Sequence, residues 1–237
     1  MKIKILLFTI LSFYFCYGQK ELHTYNLSIN YNYITNAKVY LTPRSFDPQL
    51  RDNYYIFDDI KSISLEIKRN IYNNYIYLSI GSEYLEGKEN LYSVRALVNN
   101  VITTLNVEEG FKMFPIEMIA YYIFPFSTEY FTAYMGSGLG LYYGEYFRKI
   151  YDIKSKSILS KVYFGILVNS GIDITLFKNL AIKFEMKFRD PEFDFKNNYP
   201  KTQTYFNDDK IQLFEDTFYT KVNIDGVNLI LGLTYKF

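Results

Sequence analysis

The feature that most constrains the fold of this chain is a strict alternation of apolar and polar residues. In the segment LAIKFEMKFR, residues 180–189, apolar side chains stand at the even positions and charged ones at the odd positions from Lys183 onwards. Side chains two residues apart lie on the same face of a β-strand, so the pattern predicts a strand with one apolar and one polar face. The same alternation occurs in segments 25–33, 63–69, 75–84, 114–124, 131–144, 162–176 and 227–237. An all-β chain of about eight strands is therefore predicted.

Composition narrows the classes of function that fit such a chain. The formal net charge of +1 offers no electrostatic basis for binding nucleic acid, so no nucleic-acid partner is predicted. Aromatic residues make up 20% of the chain, with 26 Tyr, 21 Phe and no Trp. Because tyrosine has an apolar ring and a polar hydroxyl, it suits surfaces between water and an apolar phase. The mean hydropathy is −0.10, and no stretch beyond the N-terminus reaches the roughly 18 apolar residues of a spanning helix.

The N-terminus has the composition of an export signal. Lys2 and Lys4 precede the apolar run ILLFTILSFYF, which ends just before CYG at residues 16–18. We predict a cleaved signal peptide over residues 1–18 and one β-barrel domain over residues 19–237, with no internal repeat or linker. Cys16 is the only cysteine, so cleavage after Gly18 would leave a mature chain without a thiol.

Alternation alone fits two architectures. A secreted soluble barrel would turn its apolar faces inward around an apolar ligand, whereas a transmembrane barrel would turn them towards lipid and enclose a polar interior. The apolar faces are long enough for the roughly 9–11 residues that a tilted strand needs to cross hydrocarbon. Glycines and mixed charges occupy the opposite faces, as in a narrow lumen. A single closed, antiparallel, up-and-down transmembrane β-barrel is the favoured fold.

Connection lengths predict how the barrel is oriented. Short connections are expected near residues 70–74, 125–129 and 177–179, and long polar loops near 34–61, 85–110, 145–160 and 190–221. Small outer-membrane barrels have short periplasmic turns and long outer loops, so both termini are expected in the periplasm. The segment RDNYYIFDD, residues 51–59, is expected either to contact a partner or to extend the second strand above the membrane. Upstream of Gly226 the apolar residues change parity, which predicts a bulge or loop there.

Two sets of residues follow from the parity of the strands. A barrel of about eight strands has an interior just wide enough for side chains, so the interior charges are expected to pair into a plug rather than line an open path. The predicted lumen residues are Glu66, Lys68, Glu117, Lys183, Glu185, Lys187 and Arg189. The predicted lipid-facing residues are Ile166, Val168, Phe184, Met186, Leu229, Leu231 and Leu233.

Several motifs together resemble a known family. The signal peptide, YMGSGLGLYYG at 134–144, PFSTE at 125–129 and LILGLTYKF at 229–237 are similar to the small eight-stranded outer-membrane β-barrels of Gram-negative bacteria, of the OmpW/OmpX-like kind. The resemblance implies an outer-membrane location, with lipid around the barrel. It also implies that the C-terminal aromatics Tyr235 and Phe237 are the signal read by the barrel-assembly machinery. The absence of Trp and the long Tyr-rich first loop depart from the family, so no family ligand is carried over.

Little in the sequence points to chemistry. His23, the only histidine, precedes the first strand and is expected at the periplasmic end, away from where lipid-modifying barrel enzymes of similar architecture place theirs. No nucleophile, phosphate-binding or metal motif is present, so the chain is predicted not to be an enzyme and to need no cofactor or metal. The predicted function is a membrane scaffold or a narrow passage for a small solute, with an unidentified solute or extracellular partner. Loop carboxylates could bind a cation but are expected to be solvated; they are Asp58, Asp59, Asp190, Glu192, Asp194, Asp208 and Asp209.

Overall fold

The protein is described by a computed structural model covering residues 24–159, 162–207 and 209–237. Within these residues the chain forms fourteen β-strands and one short helix. The strands are β1 Tyr25–Tyr40, β2 Tyr55–Tyr72, β3 Ile76–Val98, β4 Val101–Ile123, β5 Phe131–Ile150, β6 Ile153–Lys154, β7 Lys156–Leu159, β8 Val162–Phe177, β9 Leu180–Arg189, β10 Glu192–Asn198, β11 Gln203–Phe206, β12 Asp209–Leu213, β13 Thr217–Asn223 and β14 Val227–Lys236. The helix α1 is Pro48–Arg51.

Eight of these strands close into a ring. Antiparallel pairing runs from β1 through β2, β3, β4, β5, β8 and β9 to β14, and β14 pairs back with β1. Short connections at residues 73–75, 124–130 and 178–179 join the strands at one end, here called the turn end. Tyr25 and Phe237 meet there, each donating a backbone N–H to the other's carbonyl. The all-β, closed, antiparallel barrel predicted from the sequence is confirmed.

The strand count is higher than the predicted eight, because segments expected to be loops continue as strands. β3 and β4 have 23 residues each, which is about twice the length needed to cross a membrane. They form a hairpin over residues 76–123 whose tip, Asn99–Asn100, has positive φ at both positions, as a type I′ turn requires. The segment 190–223 folds into β10 to β13. All of this added structure lies at the opposite end of the barrel, here called the loop end.

The polarity of the inner and outer faces of the barrel wall is reversed part of the way from the turn end to the loop end. In β1 the inward residues Asn26 to Asn32 are polar, whereas Ile34, at the next inward position, is apolar and fully buried. In β2 the inward residues change from polar to apolar between Ser62 and Ile60, and Ile60 pairs with Ile34 at the same level. On the turn-end side of this level the wall is apolar outside and polar inside, while on the loop-end side it is polar outside and apolar inside.

The break predicted near Gly226 is part of this exchange. β13 ends at Asn223 and β14 begins at Val227, while even-numbered residues face inward on both sides of the break. The register places an extra residue in this break, because five residues separate Asn228 from Asn223 whereas four separate their β1 partners Ile34 and Lys38. The apolar residues change parity because the environments inside and outside exchange, and not because the strand turns over.

The loop-end part, here called the extension, has its own apolar core. Inward residues of the five long strands β1 to β5 pack there with the β10–β13 segment. The β11–β12 hairpin leaves β10 and β13, crosses the mouth of the barrel and pairs with β3 through Ile211 and Val98. Asn99 at the β3–β4 tip accepts from the backbone of Lys210 and donates to Asp209, which holds the hairpin in place. Phe57 is buried in this core, so the segment 51–59 extends β2 in its second half.

Candidate functional site in the barrel interior

The residues expected in the lumen and those expected on the outside lie on opposite faces of the wall. The seven predicted lumen residues are between 1 and 8% exposed, and all of them point into the interior. The seven predicted lipid-facing residues are between 43 and 73% exposed on the outer surface. Tyr235 and Phe237 share that surface and stack on each other with ring centroids 5.9 Å apart.

A first group of interior charges, here called the turn-side cluster, is centred on Glu66. Its Oε2 forms an ion pair with Lys183 and lies 3.6 Å from Lys68 Nζ, and its Oε1 accepts a hydrogen bond of 2.6 Å from the Tyr121 hydroxyl. Lys68 also lies 3.7 Å from the centroid of the Tyr121 ring. A buried carboxylate with two ammonium neighbours and a phenol donor is fully compensated, as burial of charge requires.

A second group, here called the loop-side cluster, is centred on Arg189. Its Nη1 lies 2.7 Å from Glu83 Oε2 and 2.9 Å from Glu117 Oε1. Lys187 Nζ lies 2.6 Å from the other oxygen of Glu117. Since Glu83 comes from β3, Glu117 from β4 and Arg189 from β9, this cluster ties one wall of the barrel to the opposite one.

Sequence reasoning left three interior charges out of the predicted lumen set. Glu83, Asp173 and Lys236 are each at least nine-tenths buried and point inward. Their parity within the alternating segments was the signal that could have identified them. With them, the described interior holds five acids (Glu66, Glu83, Glu117, Asp173, Glu185) and five bases (Lys68, Lys183, Lys187, Arg189, Lys236), so its formal charge is zero.

Glycine makes room for this filling where large rings cross the lumen. The ring of Tyr142 lies directly over Gly140 of β5 and Gly165 of β8, which pair across the two strands. A Cβ at Gly165 would stand 2.9 Å from a ring carbon of Tyr142, and one at Gly140 would clash more severely. The hydroxyl of Tyr142 donates to Glu117 at 3.3 Å. The glycines therefore allow an aromatic side chain to join the loop-side cluster.

Open volume is found at the two mouths of the barrel, with the two clusters between them. A cavity of about 390 Å³ opens at the turn end beside Asp173 and Lys236. A cavity of about 1230 Å³ opens at the loop end between the wall and the β11–β12 hairpin, beside Arg148 and Phe218. At the level of the clusters a void of only about 20 Å³ lies against Glu66 and Glu117.

The extension contains one further buried ion pair. Arg148 Nε lies 2.5 Å from Glu109 Oε1, and the hydroxyl of Tyr146 donates to Glu109 Oε2 at 2.5 Å. Arg148 also donates to the Tyr199 hydroxyl at 3.0 Å. Burial raises the pKa of Tyr146 well above its ordinary value, and the nearby Glu109 carboxylate raises it further. For Arg148, burial acts to lower the pKa, but Glu109, Tyr199 and Tyr146 together outweigh burial and the net pKa is raised.

The remaining candidate residues are not brought together into a site. His23, Cys16 and Asp208 lie outside the described residues. Asp58 and Asp59 on β2, Asp190 after β9, Glu192 and Asp194 on β10, and Asp209 on β12 are spread over the extension. In the part of the chain that is described, no group of three or more His, Cys, Asp and Glu side chains could hold a metal ion. The same residues include no helix long and apolar enough to cross a membrane.

Comparisons with known proteins place this geometry among outer-membrane barrels. No protein-family model matches the chain, and no curated protein matches it. Among solved structures, the outer membrane protein OprG from Pseudomonas aeruginosa aligns with a TM-score of 0.61 at 13% identity, over 93% of this chain and 98% of OprG. Neisserial surface protein A aligns with a TM-score of 0.47 at 14% identity, over 90% of this chain and 97% of that one. The outer membrane protease OmpT from Escherichia coli aligns with a TM-score of 0.40 at 12% identity, over 91% and 94%.

The fold and the polarity of the wall define a transmembrane β-barrel of the outer-membrane type. The resemblance predicted from the sequence is confirmed at the level of fold by the alignment with OprG. The expectation that the chain is not an enzyme stays a prediction, because a shared fold does not determine an activity.

Proposed function

We propose that the protein resides in the outer membrane as a barrel with a closed lumen and acts as a scaffold that carries the extension, rather than as an open pore. The observation that carries this proposal is the pair of charge clusters across the interior. Arg189 on β9 pairs with Glu83 and Glu117 on the opposite wall, and the void at that level is smaller than a solute. The passage hypothesis therefore has less support than the plug.

Residence in the membrane is supported by the outer surface on the turn-end side. The residues Phe184, Leu229 and Ile166 belong to a belt of exposed apolar side chains, which would be costly in water but is favourable in lipid. β9 and β14 have ten residues each, the length that a tilted strand needs to cross hydrocarbon. The soluble barrel with inward apolar faces is disfavoured, because that belt faces outward.

Orientation and export form part of the same proposal. Residues 1–18 act as a cleaved signal peptide, both termini lie in the periplasm, and the extension projects from the outer face of the membrane. Long loop ends outside and short turns inside are typical of such barrels. Tyr235 and Phe237, at the end of β14, act as the label for the barrel-assembly machinery, while lipid contacts the outer belt.

The closed lumen is tested by conductance in planar lipid bilayers. We expect the wild-type barrel to insert without a steady current. The variant Glu83→Ala/Glu117→Ala/Lys187→Ala/Arg189→Ala removes two acids and two bases, so the interior charge is unchanged while the loop-side cluster is emptied. Adding Glu66→Ala/Lys183→Ala removes a further acid and a further base and breaks up the turn-side cluster as well; this combined variant should conduct, and its folding is checked by the mobility of unboiled protein on a gel. A steady ohmic current through the wild-type barrel would contradict the proposal and favour the passage hypothesis.

A further inference from the structure

One strand edge in the extension is open and carries no charge. The ladder between β4 and β5 ends at Glu108 and Lys149, whereas the ladder between β4 and β3 continues to Val101. The second edge of residues 101–107 therefore has no strand beside it within the described chain. Its sequence is VITTLNV, in which Val, Ile and Thr occupy five of seven positions. Val101 and Ile102 are 64% and 57% exposed.

Other open edges of the extension carry features that block pairing. The free part of β2 contains Asp58, Lys61 and Asp59, and Asp59 has a positive φ of 54° that bends the strand. β11 has four residues, and Tyr151 stacks on its Phe206 with ring centroids 4.0 Å apart. Charges, bends and covering groups are the usual means by which proteins keep strand edges from pairing. Residues 101–107 of β4 have none of these.

We propose that residues 101–107 of β4 pair with the same residues of a second copy of this chain, forming an antiparallel two-fold contact centred on Thr104. In this register Val101 faces Val107, Ile102 faces Asn106 and Thr103 faces Leu105. β-branched and threonine pairs are favourable across a strand pair, and no like charges oppose each other. A second copy is the occupant that the segment fits, because both partners are then uncharged along their whole length.

Barrel geometry indicates where the second copy lies. β4 runs from its tip towards the membrane, and the 14 residues from Val101 to Phe114 span about 40 Å along the strand. With a tilt of about 35–45°, the tip rises roughly 30 Å above the apolar belt. Two copies in one membrane both have β4 descending, so their strands cannot run antiparallel at such tilts. Two copies in facing membranes meet that condition, so the contact joins apposed membranes.

This inference rests on the membrane residence proposed above, and the test separates the two. Purified protein is reconstituted into phospholipid vesicles, and insertion with the extension outward is verified by flotation and by protease digestion. Vesicle tethering is then followed by light scattering. We expect wild-type vesicles to tether, and Thr103→Lys/Thr104→Lys vesicles to stay dispersed because two lysines are placed on the pairing edge. Phe46→Lys/Leu50→Lys adds the same charge at exposed positions elsewhere on the loop end and should tether like the wild type.

Single cysteines test the register, since Cys16 is the only cysteine and lies in the predicted signal peptide. Thr104→Cys should form a disulfide-linked dimer between vesicles, because the two copies of position 104 face each other. Val101→Cys should not, because in the proposed register the two copies of position 101 stand about 20 Å apart. Equal cross-linking of both variants, tethering by the Thr103→Lys/Thr104→Lys variant, or dispersed vesicles that contain inserted wild-type protein would each overturn the inference. Failure to insert would instead refute the membrane residence on which it rests.

Discussion

A charge placed on the outer belt tests whether that face contacts lipid. Phe184 lies near the middle of β9, with Leu231 of β14 and Ile172 of β8 as its cross-strand neighbours. An arginine on the lipid face near the bilayer midplane costs about 2–4 kcal/mol in such barrels. Since each 1.4 kcal/mol is a factor of ten, Phe184→Arg should lower the folding equilibrium constant by roughly 30- to 700-fold.

The matched control is Asp190→Arg, which lies six residues further on with the same outward parity but beyond the exchange of faces. A surface substitution in water changes the free energy of unfolding by about 0.5 kcal/mol or less. Because the chain has no Trp, unfolding in lipid vesicles is followed by the gel mobility of unboiled samples after equilibration in urea. With a urea dependence of about 1–3 kcal/mol per molar, the midpoint for Phe184→Arg should fall by roughly 0.7–4 M. Equal midpoints for the two variants would refute the assignment of this face to lipid.

Two further predictions concern the interior and the C-terminus. Lys183→Met removes the main partner of buried Glu66 and should cost about 3–5 kcal/mol of unfolding free energy; Lys183→Met/Glu66→Gln should recover much of that loss in the same urea titration, and no recovery would contradict the pairing. Phe237→Ala should reduce the amount of folded barrel in the outer membrane of expressing cells, measured by fractionation and gel mobility. Refolding of the purified variant into detergent should stay normal. A refolding defect as large as the defect in cells would indicate a packing role for Phe237 instead of an assembly signal.

The barrel could be predicted from the sequence because alternation is a local property. The two unlike faces of β9 are already indicated by the alternation of Lys183, Phe184, Glu185 and Met186. Closure also follows, since lipid tolerates no strand edge with unpaired N–H and C=O groups. The partners of each interior charge could not be predicted, because Arg189 reaches Glu83 and Glu117 across the lumen, and such contacts depend on strand register and tilt.

The extension could not be predicted from the sequence, for a physical reason that the β9–β10 segment shows. After Arg189 the odd positions stay inward, but they change from charged residues to Phe193 and Phe195, while Asp194 faces outward. If every strand is expected to have an outward apolar face, this change in the sequence predicts the end of the strand and the start of a polar loop. Alternation indicates that the two faces of a strand differ in polarity, but which face is buried depends on whether lipid or water surrounds the barrel at that level. In the proposed orientation the extension lies above the membrane, where water surrounds its outer face.

If the barrel resides in the membrane as proposed, two different physical conditions decide what fills its lumen at two levels. Within the apolar belt, lipid holds the apolar residues outside, so the interior receives the polar ones and must fill with paired charges such as Arg189 and Glu117. In the extension, water outside draws the apolar residues inward, and residues such as Phe57 and Phe193 fill the space by packing. Emptying both clusters leaves the packing of the extension in place, so the current in that combined variant should pass through the cavity of about 1230 Å³ beside the β11–β12 hairpin. Tethering that hairpin to β3 by a disulfide should then reduce the current, whereas an unchanged current would place the conducting path elsewhere.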